Sequence, residues 1–150
     1  MSNKMEKPDT LVKYKIEVVS FGFKKGEQPH ANVLMDVRFL KNPYWIPELK
    51  PLNGLDRPVR DYVIEQEGAK RFIEKLLALL EDMVPSFFAT GKSDTFVIAL
   101  GCTGGQHRSV AMAEELCRAL ESKFSSIGIV LTASHREHKT WSSFDQVDIG

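Results

Sequence analysis

The stretch from Thr95 to Val110 constrains this chain more than any other. Phe96-Val97-Ile98-Ala99-Leu100 is a short apolar run that suits a strand covered on both faces. From Val110 the period changes: Ala113, Leu116, Cys117, Leu120 and Phe124 recur three or four apart, one stripe of a helix. Between the two lie Gly101, Cys102, Thr103, Gly104, Gly105, Gln106, His107, Arg108 and Ser109. A strand that enters a helix through such a turn aims several backbone N–H groups at one spot, where the helix dipole adds partial positive charge.

Glycines at 101, 104 and 105 relieve the backbone of Cβ atoms, so it can adopt positive φ and approach a ligand closely. Arg108 offers a planar fork to phosphate or carboxylate. A βα turn whose glycines serve packing alone is the competing reading. The convergence of glycine, hydroxyl, His and Arg where the dipole points favours an anion cradle instead. Cys102-x-x-Gly105-x-x-Arg108-Ser109 also has the spacing of the phosphate loop of cysteine-dependent phosphatases. There a thiolate attacks phosphorus, and a helix N-terminus with Arg would lower the thiol pKa. Against that chemistry, Gly101 stands where those enzymes carry histidine, and no Trp-Pro-Asp loop supplies an acid. Asp56 is the nearest imitation, and a helix cap explains it better.

The remaining sequence sets the frame. A chain of 150 residues suits one domain with a proper core, and its formal charge is zero, so no global basic field draws in nucleic acid or anionic membrane. Two cysteines, Cys102 in the loop and Cys117 on the helical stripe, point to a reducing compartment, and cytoplasmic localisation is the expectation. No segment reaches transmembrane length. Residues 1–13 read as a loose leader and 140–150 as a tail.

In chain order, Tyr14 to Ser20 reads as a strand, followed by a loop with Lys24, which faces the same ligand or is simply solvated. Val33 to Leu40 reads as a second strand. Asp36 and Arg38, two apart, fall on one face of it as an ion pair or as part of a strand-end site. The aromatic loop from Asn42 through Tyr44 and Trp45 to Asp56 is broken by three prolines and a glycine. It suits a lid or a subunit contact. Asp56 and Pro58 start a short helix. A second helix runs from near Ala69 to about Met83 on the stripe Phe72, Ile73, Leu76, Leu77, Leu80 and Val84, with Pro85 beyond it. Gly128 to Thr132 reads as a last strand, ending at His135-Arg136. The alternation of strands and helices predicts an α/β fold, a three-layer sandwich around a central, mostly parallel sheet. Ligands in such folds bind outside the carboxyl ends of the strands.

Several blocks, in order, resemble the C-terminal domain of the RNase adapter protein RapZ family. They are Ser20-Phe21-Gly22-Phe23-Lys24, Asp36-Val37-Arg38-Phe39-Leu40 with Asn42-Pro43, Gly54-Leu55-Asp56, the Gly101–Val110 loop, and His135-Arg136. They span about Tyr14 to Lys139. The resemblance implies a regulatory module and not a catalyst. In enterobacterial members the domain senses glucosamine-6-phosphate, binds small regulatory RNAs and engages the endonuclease RNase E. The resemblance places the metabolite at the glycine-rich loop, with Lys24, Asp36, Arg38, Asn42 and Tyr44 at its rim. This chain departs from the pattern at three points. No Gly-x-x-x-x-Gly-Lys-Ser/Thr motif is present, so ATP or GTP binding is not implied. Tyr44 replaces the histidine of enterobacterial members. The lysine- and arginine-rich end of those members is replaced by Ser143 to Gly150, neutral to acidic.

The leading expectation is a non-catalytic sensor of a phosphorylated small molecule held at Cys102, Thr103, Gly104, Gly105, Gln106, His107, Arg108 and Ser109. It needs no cofactor or metal, and it would signal through homo-oligomerisation or a protein partner. An RNA-binding adapter and a phosphatase built on Cys102 and Arg108 are the alternatives. Because phosphate contacts dominate nucleic-acid affinity, RNA binding by this chain is expected to be weak and salt-dependent.

Overall fold

The computed structural model describes residues 13–124 and 128–141. Four strands form one parallel sheet: β1 (Tyr14–Gly22), β2 (Val33–Asp36), β3 (Thr95–Cys102) and β4 (Ile129–His135). Their spatial order is β2–β3–β1–β4. The register pairs Ser20 with both Leu100 and His135, and Asp36 with Gly101, so the carboxyl ends of all four strands meet along one edge. Three helices complete the α/β fold: α1 (Arg57–Ile64), α2 (Glu67–Ala89) and α3 (Arg108–Phe124). Helix α3 lies along β1, β3 and β4, and α1 and α2 both pack on α3.

The core forms where two periods meet. Ile16 and Val18 of β1 and Phe96, Ile98 and Leu100 of β3 are buried at alternate positions, against Ala113, Leu116 and Leu120 of α3. Leu76, Leu80 and Val84 of α2 close the same cluster. Phe21 lies outside it, edge-on to Phe23 on the other side of the sheet.

Two elements depart from the sequence expectation. The strand expected over Val33–Leu40 ends at Asp36. Val37 and Leu40 are buried, but from a turn in which Leu40 donates its N–H to Val37 O at 3.3 Å. An apolar run read by period alone cannot tell a buried turn from a strand. Helix α2 also continues through Pro85 to Ala89. Beyond the proline, Phe88 stacks on Tyr14 at 4.3 Å and Phe87 meets Phe96 edge-on at 5.4 Å. This aromatic packing outweighs the proline's missing donor. Among the described residues no helix is long and apolar enough to cross a membrane.

Because Pro85 sits inside a packed helix, Pro85→Ala restores a backbone donor. The interior propensity gain, up to about 3 kcal/mol, exceeds the roughly 0.4–1 kcal/mol lost through a more flexible unfolded chain. A net gain of about 1–2 kcal/mol in urea unfolding is expected, and a loss would mean the ring itself packs essentially.

Candidate functional site

The glycine-rich turn between β3 and α3 lies at the carboxyl edge of the sheet. Its glycines do different jobs. Only Gly105 of the turn has positive φ, +75°, and a Cβ there would lie 2.5 Å from Glu137 Cγ and 2.7 Å from Gly22 N. Gly101 is required by packing: a Cβ would sit 2.5 Å from Phe21 Cζ and 2.7 Å from Phe23 Cε2. Gly22 of β1 presses on the turn in the same way, with its missing Cβ 2.5 Å from the Gly104 carbonyl carbon. The end of β1 and the turn thus touch backbone to backbone, while the Phe21 and Phe23 rings and the Glu137 stem occupy the space beside Gly101 and Gly105.

Arg108, the first residue of α3, is 5% exposed. Its Nη1 donates to Arg38 O at 3.0 Å and Leu40 O at 3.1 Å, and its Nη2 to Thr103 Oγ1 at 3.2 Å. Its Nε is buried without an acceptor among the described residues. Burial pushes the guanidinium below its ordinary pKa. Cys102 opposes that shift, Arg38 adds to it, and Asp36 opposes it. The backbone N–H groups of Gly104, Gly105, Gln106, His107 and Arg108 meet no acceptor among the described residues, as expected for the open first turn of a helix.

Cys102 is buried; its thiol donates to Ser109 Oγ at 3.1 Å and Sγ accepts the Ser109 N–H at 3.3 Å. Asp36 and Arg38 form a bidentate pair, with contacts of 2.7 to 3.1 Å, and the side chains remain nearly half exposed. The hydrogen bond from Arg38 holds the Asp36 carboxyl below its ordinary pKa. The Arg38 guanidinium lies 4.1 Å over the Phe23 ring, which carries it toward the turn. Lys24 joins through its backbone, N donating to Thr103 O at 3.1 Å, while its side chain is exposed. Asn42 caps the short 3-10 turn Pro43–Trp45 by accepting from Tyr44 N at 3.0 Å. The Tyr44 ring lies under Lys50 Nζ at 4.6 Å.

Gln106 and His107 anchor the loop that follows. Gln106 Nε2 donates to Leu52 O at 2.6 Å, Gly54 N donates to Gln106 O at 2.8 Å, and His107 Nε2 donates to Lys50 O at 3.2 Å. Asp56 stands at the N-cap of α1, yet its carboxylate accepts from Asn53 N at 2.9 Å. The structure therefore gathers the strand-end residues and the Arg38–Leu40 turn around Arg108, and ties the 50–54 loop to the same turn through Gln106 and His107.

Sequence reasoning missed Glu137. It is 6% exposed, its Oε2 accepts from Gly22 N at 3.0 Å and from Arg136 Nε at 2.8 Å, and its Cγ adjoins Gly105. Its position after His135-Arg136 was the only available signal. The apolar pocket of about 300 Å³ lined by Tyr14, Pro85, Phe88, Ala89 and Ile129 lies at the other end of β1 and takes no part in this site.

These features define a parallel α/β domain whose glycine-rich strand-to-helix turn carries a buried arginine at the carboxyl edge of the sheet. The sequence model of the RapZ C-terminal domain matches residues 14–139, and the chain belongs to that family. A protein of Lactiplantibacillus plantarum named nucleotide-binding protein is 48% identical over 124 residues, which cover 83% of this chain and 40% of that protein. Nucleotide-binding proteins of Carboxydothermus hydrogenoformans and Corynebacterium efficiens are 52% and 49% identical over 111 and 105 residues, covering 38% and 33% of their lengths. The chain thus spans two fifths or less of these relatives.

Burial holds the His107 imidazole below its ordinary pKa, opposed by the carbonyls of Lys50, Leu52 and Leu49. In the unfolded chain the ring takes its proton near the usual value of about 6.5. On acidification through that value the unfolded state binds the extra proton first, so stability falls as pH drops. His107→Gln should show a shallower loss between about pH 7 and 5 in urea midpoints. Equal slopes would remove His107 from the account.

Proposed function

We propose that the chain is a non-catalytic regulatory module that binds a phosphorylated small molecule at the Gly101–Ser109 turn. The observation that carries this reading is Arg108. A buried charge is costly unless paired, and this guanidinium donates to two carbonyls and a hydroxyl, with the Cys102 side chain beside it, and to no carboxylate among the described residues. The nearby carboxylate of Asp36 is already held by Arg38. A phosphate at the turn would supply the missing negative charge and accept the N–H groups of the first helical turn.

The ligand class we favour is a sugar phosphate, such as glucosamine-6-phosphate. Exposed polar groups at the rim, Lys24 and the Asp36–Arg38 pair, suit hydroxyls better than an apolar base. The relatives are named nucleotide-binding, but this chain matches two fifths or less of them and carries no P-loop motif. A nucleotide shares the phosphate chemistry and belongs in the same titration.

A second reading is supported by Cys102. Its Sγ lies against Ser109 Oγ and N–H at the strand end, the position from which cysteine-dependent phosphatases attack phosphorus. The carboxylates at the turn are already engaged: Asp36 is held ionised by Arg38, Asp56 closes its own turn, and Glu137 accepts from Gly22 N and Arg136.

Calorimetry with glucosamine-6-phosphate, inorganic phosphate and ATP tests the first reading. Arg108→Lys keeps the charge but loses the fork, and should weaken sugar-phosphate binding by about 1.5–3 kcal/mol. Cys102→Ser should stay within about 1 kcal/mol of the parent. Unchanged affinity in Arg108→Lys would remove the reading. Aryl phosphate turnover abolished in Cys102→Ser would replace the sensor with an enzyme.

A further inference from the structure

Three polar side chains from three elements form a hydrogen-bonded chain beside the turn. Ser20 Oγ of β1 lies 2.6 Å from His135 Nδ1 of β4, and His135 Nε2 lies 2.7 Å from Glu114 Oε2 of α3. The carboxylate can only accept, so Nε2 carries a proton, and in the neutral ring Nδ1 accepts from the Ser20 hydroxyl. The composition is that of a nucleophile, a base and an orienting carboxylate. Ser20, however, is 0% exposed, so no substrate reaches its hydroxyl.

What the chain does hold is the end of β4. His135 is followed at once by Arg136, whose N–H donates to Ser20 O at 2.9 Å, and by Glu137. The Glu137 carboxylate takes the Gly22 N–H and the Arg136 guanidinium, and its stem lies against Gly105. Arg136 is fixed in turn by Gly22 O at 3.3 Å and Glu27 O, with its guanidinium 5.5 Å over Phe21. A buried carboxylate therefore sits beside the glycine turn, and its place is set by residues outside the turn.

We propose that Glu114, His135 and Ser20 form a positioning relay for the glycine turn. The relay clamps β4 to α3 and β1, so that the Glu137 carboxylate stays seated between Gly22 and Gly105 and sets the shape and charge the turn offers to an anion. This rests on the anion-binding reading for its functional half. Because α3 carries both Arg108 at its start and Glu114 two turns on, an anion on the turn and the seating of the segment after β4 are coupled, and coupling of this kind is reciprocal.

The test uses the full chain and two readouts. The first is amide hydrogen exchange at Gly22, whose N–H reports the Glu137 contact without any ligand. Glu114 is partly exposed, so its truncation leaves no large void. Glu114→Ala should speed Gly22 exchange about tenfold relative to Ile98 in β3, the scale of a lost hydrogen bond to a charged group. Glu114→Gln, whose amide oxygen still accepts from Nε2, should stay near the parent. The second readout is titration with inorganic phosphate, which should weaken several-fold in Glu114→Ala and recover in Glu114→Gln. Gly22 protection equal in Glu114→Ala and the parent would overturn the relay, whatever phosphate does. Retained Gly22 protection in a parent that binds neither phosphate nor sugar phosphate would instead overturn the anion reading, and with it the relay's functional half alone.

Discussion

The buried guanidinium of Arg108 is the interaction around which the candidate site is arranged. A cation 5% exposed at the start of a helix is in an unfavourable place, since the helix dipole is positive there too. Two carbonyls and one hydroxyl solvate it, and their strong hydrogen bonds draw the Arg38–Leu40 turn onto the glycine turn. That geometry is incomplete as electrostatics, with Nε unsatisfied and no carboxylate in contact among the described residues. An enzyme's arginine and a sensor's arginine can both look like this, and the two readings part at Cys102, whose partners are the hydroxyl and N–H of Ser109.

Around that residue, backbone approaches backbone at distances only glycine allows. Gly22, Gly101 and Gly105 are each hemmed by atoms within 3 Å of a hypothetical Cβ, so the strand ends, the Phe21–Phe23 pair and Glu137 interlock. Interiors at crystal-like density do not deform continuously. A change at the turn is therefore passed to β1 and to the segment after β4 instead of being absorbed locally. This is the physical basis on which a small anion could have a regulatory effect at a distance.

How much of this could be read from the residues depended on range. The strand, turn and helix from Thr95 to Val110 were visible because their periods change over a few positions. The parallel sheet followed from alternation. Gly101 looked like a glycine for ligand approach, yet its reason is Phe21 and Phe23, some eighty positions away in sequence. Val37 and Leu40 continued an apolar run but face the core from a turn, and Pro85 looked like a stop because the rings that stabilise the next turn of α2 come from β1 and β3. Gln106 and His107 carried the chemistry of ligand contacts and serve carbonyls of the 50–52 loop. Glu137 left only its place after His135-Arg136 as a signal, since a lone glutamate after a strand is ordinary until Gly22 is seen to donate to it.

The most direct test of the central claim is an amide chemical-shift titration of the full chain with inorganic phosphate. The account predicts saturable shifts at Gly104 through Ser109, accompanied by the Arg108 Nε resonance. Shifts confined to surface lysines, or none at millimolar phosphate, would contradict it.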